Sequence, residues 1–376
     1  MDELVGGVDL IVSMIPPTMH VPVARSCIKL GKNMVTTSYI SSEMAELDWE
    51  AKEAGVIILN GIGMGPGISQ MGMKQQIDGA QREGGEIESL ASYSAGLPSF
   101  EHNNNPLGYK FSWSPRGVIL AAKTPAAYLK DGERVEIPAE TLFDHHWLVD
   151  IEGLGTFETY PNRDVVRYLK YYGVEQDINC YRGVLRFTGW CNTMISLNKL
   201  NLLDDTVVKD FTNKTYGSYM ASLVGGTGNV LADTAVYLGE KENSDIIKRI
   251  RWLGLFDERQ IAIENGSNAD LLVDIMIKKM SYKPGEVDMI LIHNEVVVRF
   301  GDRKEKRWST MVKKGLPRGH SAMARAVSFP AAIASKLILE SKISAKGVHR
   351  SILPEVYEPV LKELEDLGLS FQHGRE

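Results

Sequence analysis

Cysteine is scarce in this 376-residue chain: it occurs only as Cys27, Cys180 and Cys191, in no C-x-x-C spacing. This number and spacing indicate neither a disulfide framework nor a zinc cluster, and they fit a reducing compartment. No apolar run approaches the ~18 residues of a membrane span. The N-terminal sequence MDELVGG is acidic and, unlike a targeting peptide, contains no arginine. We therefore expect a cytoplasmic protein, or a piece of a longer one, that does not associate with a membrane.

An excess of positive charge is also absent, since 42 Lys and Arg residues face 48 Asp and Glu residues, for a net charge of −6. This balance argues against nucleic acid as a partner. The one dense basic cluster, at 303–307 (RKEKR), lies between two strand-like runs, and we interpret it as a solvated hairpin turn. Asp144, His145 and His146 are adjacent rather than spaced as ligands, so we predict a solvated loop there and no metal site.

The sequence lacks the glycine-rich loop G-x-G-x-x-G that usually holds the pyrophosphate of a dinucleotide. The nearest pattern, Gly61, Gly63, Gly65 and Gly67, has Pro66 where the third glycine should fall. A dinucleotide site in this sequence must therefore be explained without that phosphate cradle.

Short apolar runs alternate with amphipathic stretches over the first 60 residues. This alternation is typical of βαβ units on a parallel sheet that is buried on both faces. It predicts strands at 8–15, 33–37 and 55–60 and helices at 20–31 and 42–54. We expect an α/β fold that begins with a partial Rossmann-like parallel sheet. The first strand would leave an apolar edge exposed, and we expect missing residues or a partner chain to cover it.

The rest of the sequence predicts a larger mixed α/β domain. A helix should follow Pro66, and the long segment 98–114 resembles the functional loops found around clefts. The resulting domains are a partial dinucleotide-binding domain, a substrate and dimerisation domain, and C-terminal helices that return to the first domain: 1–67, 68–320 and 321–376. Further elements are predicted as a strand at 178–190, helices at 192–203, 213–224, 228–238, 244–256 and 267–280, a hairpin at 287–300 and 307–314, and helices at 321–341 and 354–367.

Three arginines are candidates for binding carboxylates. Arg163 follows a Pro-Asn turn that would present its guanidinium at a fixed place. Alternatively, Asn162 or Asp164 caps a helix and Arg163 is solvated. Arg182 and Arg186 lie four residues apart in a predicted strand and therefore share a face. That face is a candidate carboxylate-binding wall.

Several motifs, in order along the chain from residue 8 to the C-terminal helix, resemble the glutamate-forming saccharopine dehydrogenase (saccharopine reductase) family. They are Met34–Ile40 (MVTTSYI), Ser92-Tyr93 with Gly96-Leu97-Pro98 and Glu101, Asn105–Pro115, Tyr160–Asp164 (YPNRD), Arg182–Arg186 (RGVLR), Ser321–Arg325 and Pro330–Ala334.

The resemblance implies an oxidoreductase of lysine metabolism that interconverts saccharopine with α-aminoadipate semialdehyde plus glutamate. It implies NADP, with NAD the less favoured cofactor, and a small-molecule amino-acid substrate. We also expect either a homodimer through the second domain or a partner chain that covers the incomplete sheet edge. A longer lysine-degrading protein of this kind would be mitochondrial rather than cytoplasmic. By matching motif, the resemblance assigns the substrate-binding residues as Ser38, Tyr39, Arg163, Val184, Leu185 and Arg186, and the cofactor-binding residues as Ser13, Ile15, Pro16, Thr37, Ser38 and Tyr39.

Three departures from the family pattern concern the active site. Gly65 replaces the aspartate of G-L-D-P-G, Ser69-Gln70 replaces Asp-His, and Val184 replaces the threonine of R-G-T-L-R. Loss of one partner of a buried charged pair costs ~2–5 kcal/mol, so no catalytic residue is assigned. The family's opening unit of roughly two βαβ units is also absent. Two alternatives therefore stay open: a catalytically degenerate homologue acting as scaffold or ligand sensor, and a related amino-acid or imine dehydrogenase.

Overall fold

The computed structural model describes residues 1–121, 123–175 and 177–376. These residues form two compact units, each assembled from separate chain segments. The first unit contains Met1–Ser94, Arg167–Asn179 and Ile290–Glu376, and the second contains Ala95–Val166 and Cys180–Met289.

Helices and strands are numbered in chain order. The helices are α1 Asp2–Gly6, α2 His20–Lys29, α3 Ser42–Glu46, α4 Asp48–Glu53, α5 Ile68–Arg82, α6 Pro115–Ala121, α7 Val166–Tyr172, α8 Trp190–Lys199, α9 Tyr216–Val224, α10 Val230–Leu238, α11 Asp245–Leu253, α12 Asn268–Met280, α13 Ala322–Leu339 and α14 Pro354–Asp366. The strands are β1 Leu10–Ser13, β2 Asn33–Thr36, β3 Ile57–Asn60, β4 Glu86–Pro98, β5 Ala126–Lys130, β6 Glu133–Ile137, β7 Trp147–Ile151, β8 Gly155–Pro161, β9 Asn179–Arg186, β10 Lys209–Asp210, β11 Asn265–Gly266, β12 Asp288–Phe300, β13 Arg303–Lys314, β14 Gly347–Arg350 and β15 Gln372–Arg375. Short 3₁₀ turns occupy Pro17–Met19, Phe100–His102 and Ala139–Asp144.

A parallel sheet in the first unit has the strand order β1-β2-β3-β14, which confirms the predicted α/β class and parallel sheet. Alternate residues of its strands face opposite layers. Val35 and Leu59 pack towards α5, α13 and α14, whereas Met34 and Ile58 pack towards α2, α3 and α4. The sheet is therefore buried on both faces.

The edge strands of this sheet are β14 and β1, and apolar side chains are exposed at β1. Val8 and Val12 are more than two-fifths exposed there, at 42% and 44%. Such an apolar strand edge is a potential site of pairing or aggregation. The expectation that the first strand presents an apolar edge is thus met by the structure.

The other strands of the first unit follow the order β15-β13-β12-β4. The basic residues 303–307 lie within β13, so their interpretation as a hairpin turn is wrong. Arg307 donates hydrogen bonds to Glu83 and Glu305, and Lys304 pairs with Glu88. These carboxylates compensate the positive charge, which allows a dense basic sequence to continue as a strand.

Helix α13 is long and apolar enough to cross a membrane when judged by length and composition, contrary to our expectation that no stretch approaches that length. Half of the helix is buried in the first unit, where Ala326, Ala331 and Ala334 belong to the same core as residues of α14. A core helix has these same properties, so the feature is weak support for a membrane span.

The second unit contains an antiparallel arrangement in which β9 pairs with β5 and β8, β5 pairs with β6, and β8 pairs with β7. The five helices predicted between 192 and 280 correspond to α8–α12. Strands β5 to β8 were not predicted. Strands β6 and β7 are exposed or half-buried along most of their length, whereas β5 and β8 are mostly buried although β8 contains polar residues.

The division into units differs from the predicted domain boundaries at 67/68 and 320/321. Helix α5 belongs to the first unit, where the Tyr357 hydroxyl of α14 donates a hydrogen bond to Asp78 of α5 at 2.6 Å. Residues 290–320 also belong to that unit. The chain passes from one unit to the other four times, in β4, α7, β9 and β12, rather than in loops, so the amino-acid composition gave no sign of the boundaries.

Candidate functional site

Polar side chains end three neighbouring strands of the parallel sheet. Ser13, Thr36 and Asn60 are the last residues of β1, β2 and β3, and all three are buried. The carboxyl ends of parallel strands meet at one edge, which is where open α/β sheets bind ligands. Asn60 donates to the Ile58 carbonyl oxygen, but its Oδ1 is buried without a partner among the described residues.

A buried imidazole joins two of these strand ends. His20, at the start of α2, lies with Nδ1 at 2.8 Å from Ser13 Oγ and Nε2 at 2.8 Å from Ser38 Oγ. Its Nε2 is also 3.4 Å from Thr36 Oγ1, which accepts a hydrogen bond from the Ser38 N–H. Burial lowers the pKa of His20, so the ring is neutral near pH 7. The arrangement fixes the segment after β2 against the end of β1.

The residues matched to cofactor binding lie in the two segments that follow β1 and β2. Ile15 and Pro16 are exposed, and Thr37 and Tyr39 are half-buried. The Thr37 hydroxyl lies 3.7 Å from Met14 Sδ. The structure thus brings these residues to the same edge of the sheet.

The glycine segment 61–67 forms a tight turn that closes on itself. Gly63 N–H donates to the Pro66 carbonyl oxygen at 2.8 Å, and Ile68 N–H donates back to the Gly63 carbonyl oxygen at 2.8 Å. Gly67 has φ of 138°, and a Cβ at that position would lie 1.8 Å from Gly63 O. The Ser69 N–H likewise donates to the Met64 carbonyl oxygen at 3.0 Å, so the first two N–H groups of α5 bond within the turn and are not available to a phosphate. Gly65, where the family has its aspartate, is exposed on this turn.

Arg186 ends β9 in the second unit and is buried among aromatic rings. Its guanidinium carbon lies 4.8, 5.3 and 5.8 Å from the ring centres of Tyr109, Trp190 and Tyr160. One terminal nitrogen donates to the Leu185 carbonyl oxygen at 2.9 Å. Among the described residues no carboxylate forms an ion pair with it. Cation–π contacts therefore stabilise this charge in the absence of a protein anion.

Unsatisfied polar atoms surround the same guanidinium. Arg186 Nε, Trp190 Nε1 and the Tyr109 hydroxyl are buried with no hydrogen-bond partner within the described ranges. Burial raises the pKa of Tyr109 and raises that of Tyr160 to about 12, so both phenols keep their protons. Buried polar groups normally find partners, and a carboxylate would supply acceptors to several of these donors.

Arg163 lies on an irregular turn of the second unit with φ of 66°. Main-chain bonds fix the turn: Ala127 N–H donates to the Arg163 carbonyl oxygen at 3.0 Å, and Asn162 N–H donates to that of Arg182 at 2.9 Å. Asp164 accepts two hydrogen bonds from Arg134, at 3.1 and 3.2 Å. The Arg163 side chain itself is exposed.

The other matched residues differ in accessibility. Val184 is half-buried, whereas Leu185 and Arg182 are buried in the second unit. The Leu185 side chain is fully enclosed, and only its carbonyl oxygen reaches the Arg186 guanidinium.

Sequence reasoning missed a buried ion pair in the second unit. Lys110, which is 3% exposed, donates to Glu286 Oε2, and Glu286 also accepts from Asn104 Nδ2 and the Lys283 N–H. Burial alone would raise the pKa of Glu286, but the hydrogen bonds from Lys110, Lys283 and Asn104 outweigh it and lower the pKa to about 2. His20 was also missed, although polar residues directly after apolar strands are a usable signal for this edge.

Two family models match the chain. Residues 1–59 match the saccharopine dehydrogenase NADP binding domain, and residues 63–369 match the saccharopine dehydrogenase C-terminal domain.

Curated relatives show the same likeness. Saccharopine dehydrogenase [NADP(+), L-glutamate-forming] from Saccharomyces cerevisiae is 33% identical, and the match covers 97% of this chain and 84% of that protein. The alpha-aminoadipic semialdehyde synthase of Arabidopsis thaliana is 34% identical over 100% of this chain, which spans 37% of that protein. A relative of that name from Bos taurus, 33% identical over 99% of this chain and 41% of that protein, is described as mitochondrial.

Solved structures extend the comparison. The apo histidine-tagged saccharopine dehydrogenase (L-Glu forming) from Saccharomyces cerevisiae superposes with a TM-score of 0.91 at 32% identity, covering 100% of this chain and 86% of that one. The homospermidine synthase of Legionella pneumophila, at TM-score 0.57 and 11% identity over 100% of this chain and 78% of that one, shares the fold alone.

Proposed function

The chain belongs to the saccharopine dehydrogenase family, and on that premise we propose that it interconverts saccharopine with α-aminoadipate semialdehyde and glutamate, using NADP. When bound, NADP would supply the acceptor for a hydride from the carbon of the saccharopine C–N bond, while the nitrogen loses its proton and an imine forms. Water would then hydrolyse the imine to α-aminoadipate semialdehyde and glutamate, and NADPH would supply the hydride for the reverse direction. NADP is favoured over NAD because the matching family model is that of an NADP-binding domain. The substrate is a small amino-acid derivative.

The observation that carries this proposal is the buried Arg186. Its Nε lacks a partner among the described residues, and aromatic rings rather than a carboxylate surround the charge. Burying a charge is unfavourable unless it is paired and hydrogen-bonded. Saccharopine carries three carboxylates, and a guanidinium binds a carboxylate with planar, charge-assisted hydrogen bonds worth ~1.5–3 kcal/mol each. We assign Arg186 to one substrate carboxylate and the exposed Arg163 to another.

The cofactor is assigned to the carboxyl edge of the parallel sheet. The buried, unpartnered Asn60 Oδ1 and the hydroxyl groups after β1 and β2 suit a polar ligand at that edge. We propose that the residues that would hold NADP are Ser13, Ile15, Pro16, Thr37, Ser38 and Tyr39. Ser38 and Tyr39 would also contact the substrate. No described residue is assigned to the pyrophosphate, because the glycine spacing at 61–67 is not that of a phosphate-binding loop and the first two N–H groups of α5 bond to carbonyl oxygens of this turn.

A second candidate function is that of a ligand sensor or scaffold. It is favoured by Gly65, which places no carboxylate where the family has one, and by Val184, which removes a hydroxyl donor. A protein of this kind would bind saccharopine without turning it over. A dehydrogenase acting on a related amino acid or imine is also compatible with these replacements.

Calorimetric titration of saccharopine into wild type and Arg186→Met tests the proposal. Methionine fills a similar volume without charge, so we expect saccharopine to bind ~30- to 4000-fold more weakly, as for loss of ~2–5 kcal/mol. The unfolding free energy should stay equal or rise, since an isolated buried charge has been removed. Arg251→Met, at an exposed position of α11 in the same unit, is the matched control and should bind as wild type does.

The outcomes separate the two functions. Saccharopine-dependent NADPH formation by the wild type supports the dehydrogenase. Saccharopine binding without NADPH formation supports the sensor. Equal binding by wild type and Arg186→Met would contradict the carboxylate assignment for both functions.

A further inference from the structure

His20 lies outside the residues matched to the family's substrate and cofactor contacts, yet it touches two of them, Ser13 and Ser38, directly. Its ring is buried, at 3% exposure, between hydroxyl groups that follow two different strands. Ser13 on one side is buried, whereas Ser38 on the other is half-buried. Ser38 is thus the more accessible hydroxyl of this network.

A neutral imidazole carries a proton on one nitrogen and accepts on the other. If Nδ1 carried it, His20 would donate to Ser13 and accept from the nearer hydroxyl at Nε2, Ser38, at 2.8 Å. The buried hydroxyl protons of Ser13 and Thr36 would then both lack an acceptor among the described residues. This arrangement leaves two buried donors unpaired.

The other tautomer leaves fewer buried donors unpaired. With the proton on Nε2, His20 donates to Ser38, and the Ser13 hydroxyl donates to Nδ1. The Thr36 hydroxyl proton is then the one buried proton of this network without an acceptor within the described ranges, and the Ser38 proton, which also lacks one, belongs to a half-buried residue. Because unpaired buried donors are costly, the second arrangement is the more stable of the two.

We infer that His20 is a positioning residue that protonates at Nε2, holds Ser38 Oγ as an acceptor, and so directs the Ser38 hydroxyl proton outward as a donor to a carboxylate of the substrate. The choice of ligand rests on the proposed function. The tautomer and the polarity of Ser38 rest on the contacts of His20 alone. The hydroxyl is thereby oriented before a ligand arrives, and less freedom is lost on binding.

Two substitutions test the roles of the two imidazole nitrogens separately. His20→Gln places an amide N–H₂ near the position of Nε2 and keeps the donor to Ser38, whereas His20→Asn reaches only the position of Nδ1 and keeps the contact to Ser13. With saccharopine as the probe, we expect His20→Gln to bind within about 3-fold of wild type and His20→Asn to bind about 10-fold more weakly, as for loss of one hydrogen bond.

Ser38→Ala completes the set. It should weaken saccharopine binding by about 10-fold, and adding His20→Asn to it should cause no further loss, because both changes act through the same hydroxyl. Equal losses in His20→Gln and His20→Asn, or additive losses in the double variant, would overturn the inference, since a purely structural histidine would behave in that way.

The tautomer can be read without any ligand. In protein labelled with ¹⁵N-histidine, the His20 signal is the one missing from His20→Gln, and long-range ¹⁵N–¹H couplings identify the protonated nitrogen. Protonation at Nε2 supports the inference, and protonation at Nδ1 overturns it. Failure of the wild type to bind saccharopine would refute the proposed function, while the tautomer measurement would still decide the role of His20.

Discussion

The two units bury polar side chains in different ways. In the first, Ser13, His20 and Ser38 are neutral, and main-chain bonds of the turn 61–67 fix the neighbouring segment. In the second, Arg186 is a buried cation among aromatic rings, and Lys110 is a buried cation paired with Glu286. A neutral network is stabilised by satisfying donors and acceptors, whereas a buried charge also needs aromatic faces or a counter-charge. The two regions should therefore respond differently to substitution and to acid.

The largest effect should come from the main-chain turn of the first unit. Gly67→Ala would place its Cβ 1.8 Å from the Gly63 carbonyl oxygen, at a φ of 138° that favours glycine. Because the obstacle is main chain, we expect unfolding in urea to require at least about 3 kcal/mol less free energy. Gly79→Ala in the same helix meets nothing within 4 Å and should stabilise by up to about 1 kcal/mol. Equal midpoints for the two variants would show that the turn is not rigid.

An intermediate effect should come from the buried ion pair of the second unit. The pKa of Glu286 is lowered from 4.5 to about 2. The ionised carboxylate therefore contributes its full stabilisation of the folded protein above pH 4.5, and this contribution is lost as the pH falls towards 2. Glu286→Gln should lower the free energy of unfolding by roughly 2–3 kcal/mol at pH 7. It should also flatten the pH dependence of that free energy in the same pH window. Glu242→Gln, at an exposed position, is the control and should leave the pH profile unchanged. An unchanged profile in Glu286→Gln would refute the assigned pairing.

The smallest effect should come from His20. Burial lowers its pKa below 6.5 in the folded state, so the unfolded chain takes up the proton first as the pH falls. Stability should decline just below pH 6.5 and level off below the folded pKa. His20→Gln should make this decline smaller, whereas the exposed His145→Gln should leave it unchanged. His373, in strand β15, also has a lowered pKa and contributes equally to both variants. Thermal unfolding between pH 5 and 7 measures the difference, and identical curves would show that His20 does not titrate there.

The parallel sheet was predictable from sequence because its strands are apolar on both faces, as Met34 and Val35 illustrate. The fourth strand was not predictable, since Gly347–Arg350 carries no apolar pattern and its extended conformation depends on pairing with β3. Arg186 was found by the period of two along β9. Its aromatic neighbours were not, because Tyr109 is separated from it by 77 residues and its position depends on the tertiary fold. His20 was missed because it lies beyond the strand end, in the first residue of a helix.

The pairing of β14 with β3 has a consequence for synthesis. Gly347 pairs with Ile57, which was translated 290 residues earlier. At about 5–20 residues per second, a ribosome needs roughly 15–60 s to add that length. During this interval β3 has an unpaired edge and the layer formed by α13 and α14 does not yet exist. The nascent chain therefore passes through a long-lived state with an exposed apolar sheet. This sheet is a surface to which a chaperone would bind.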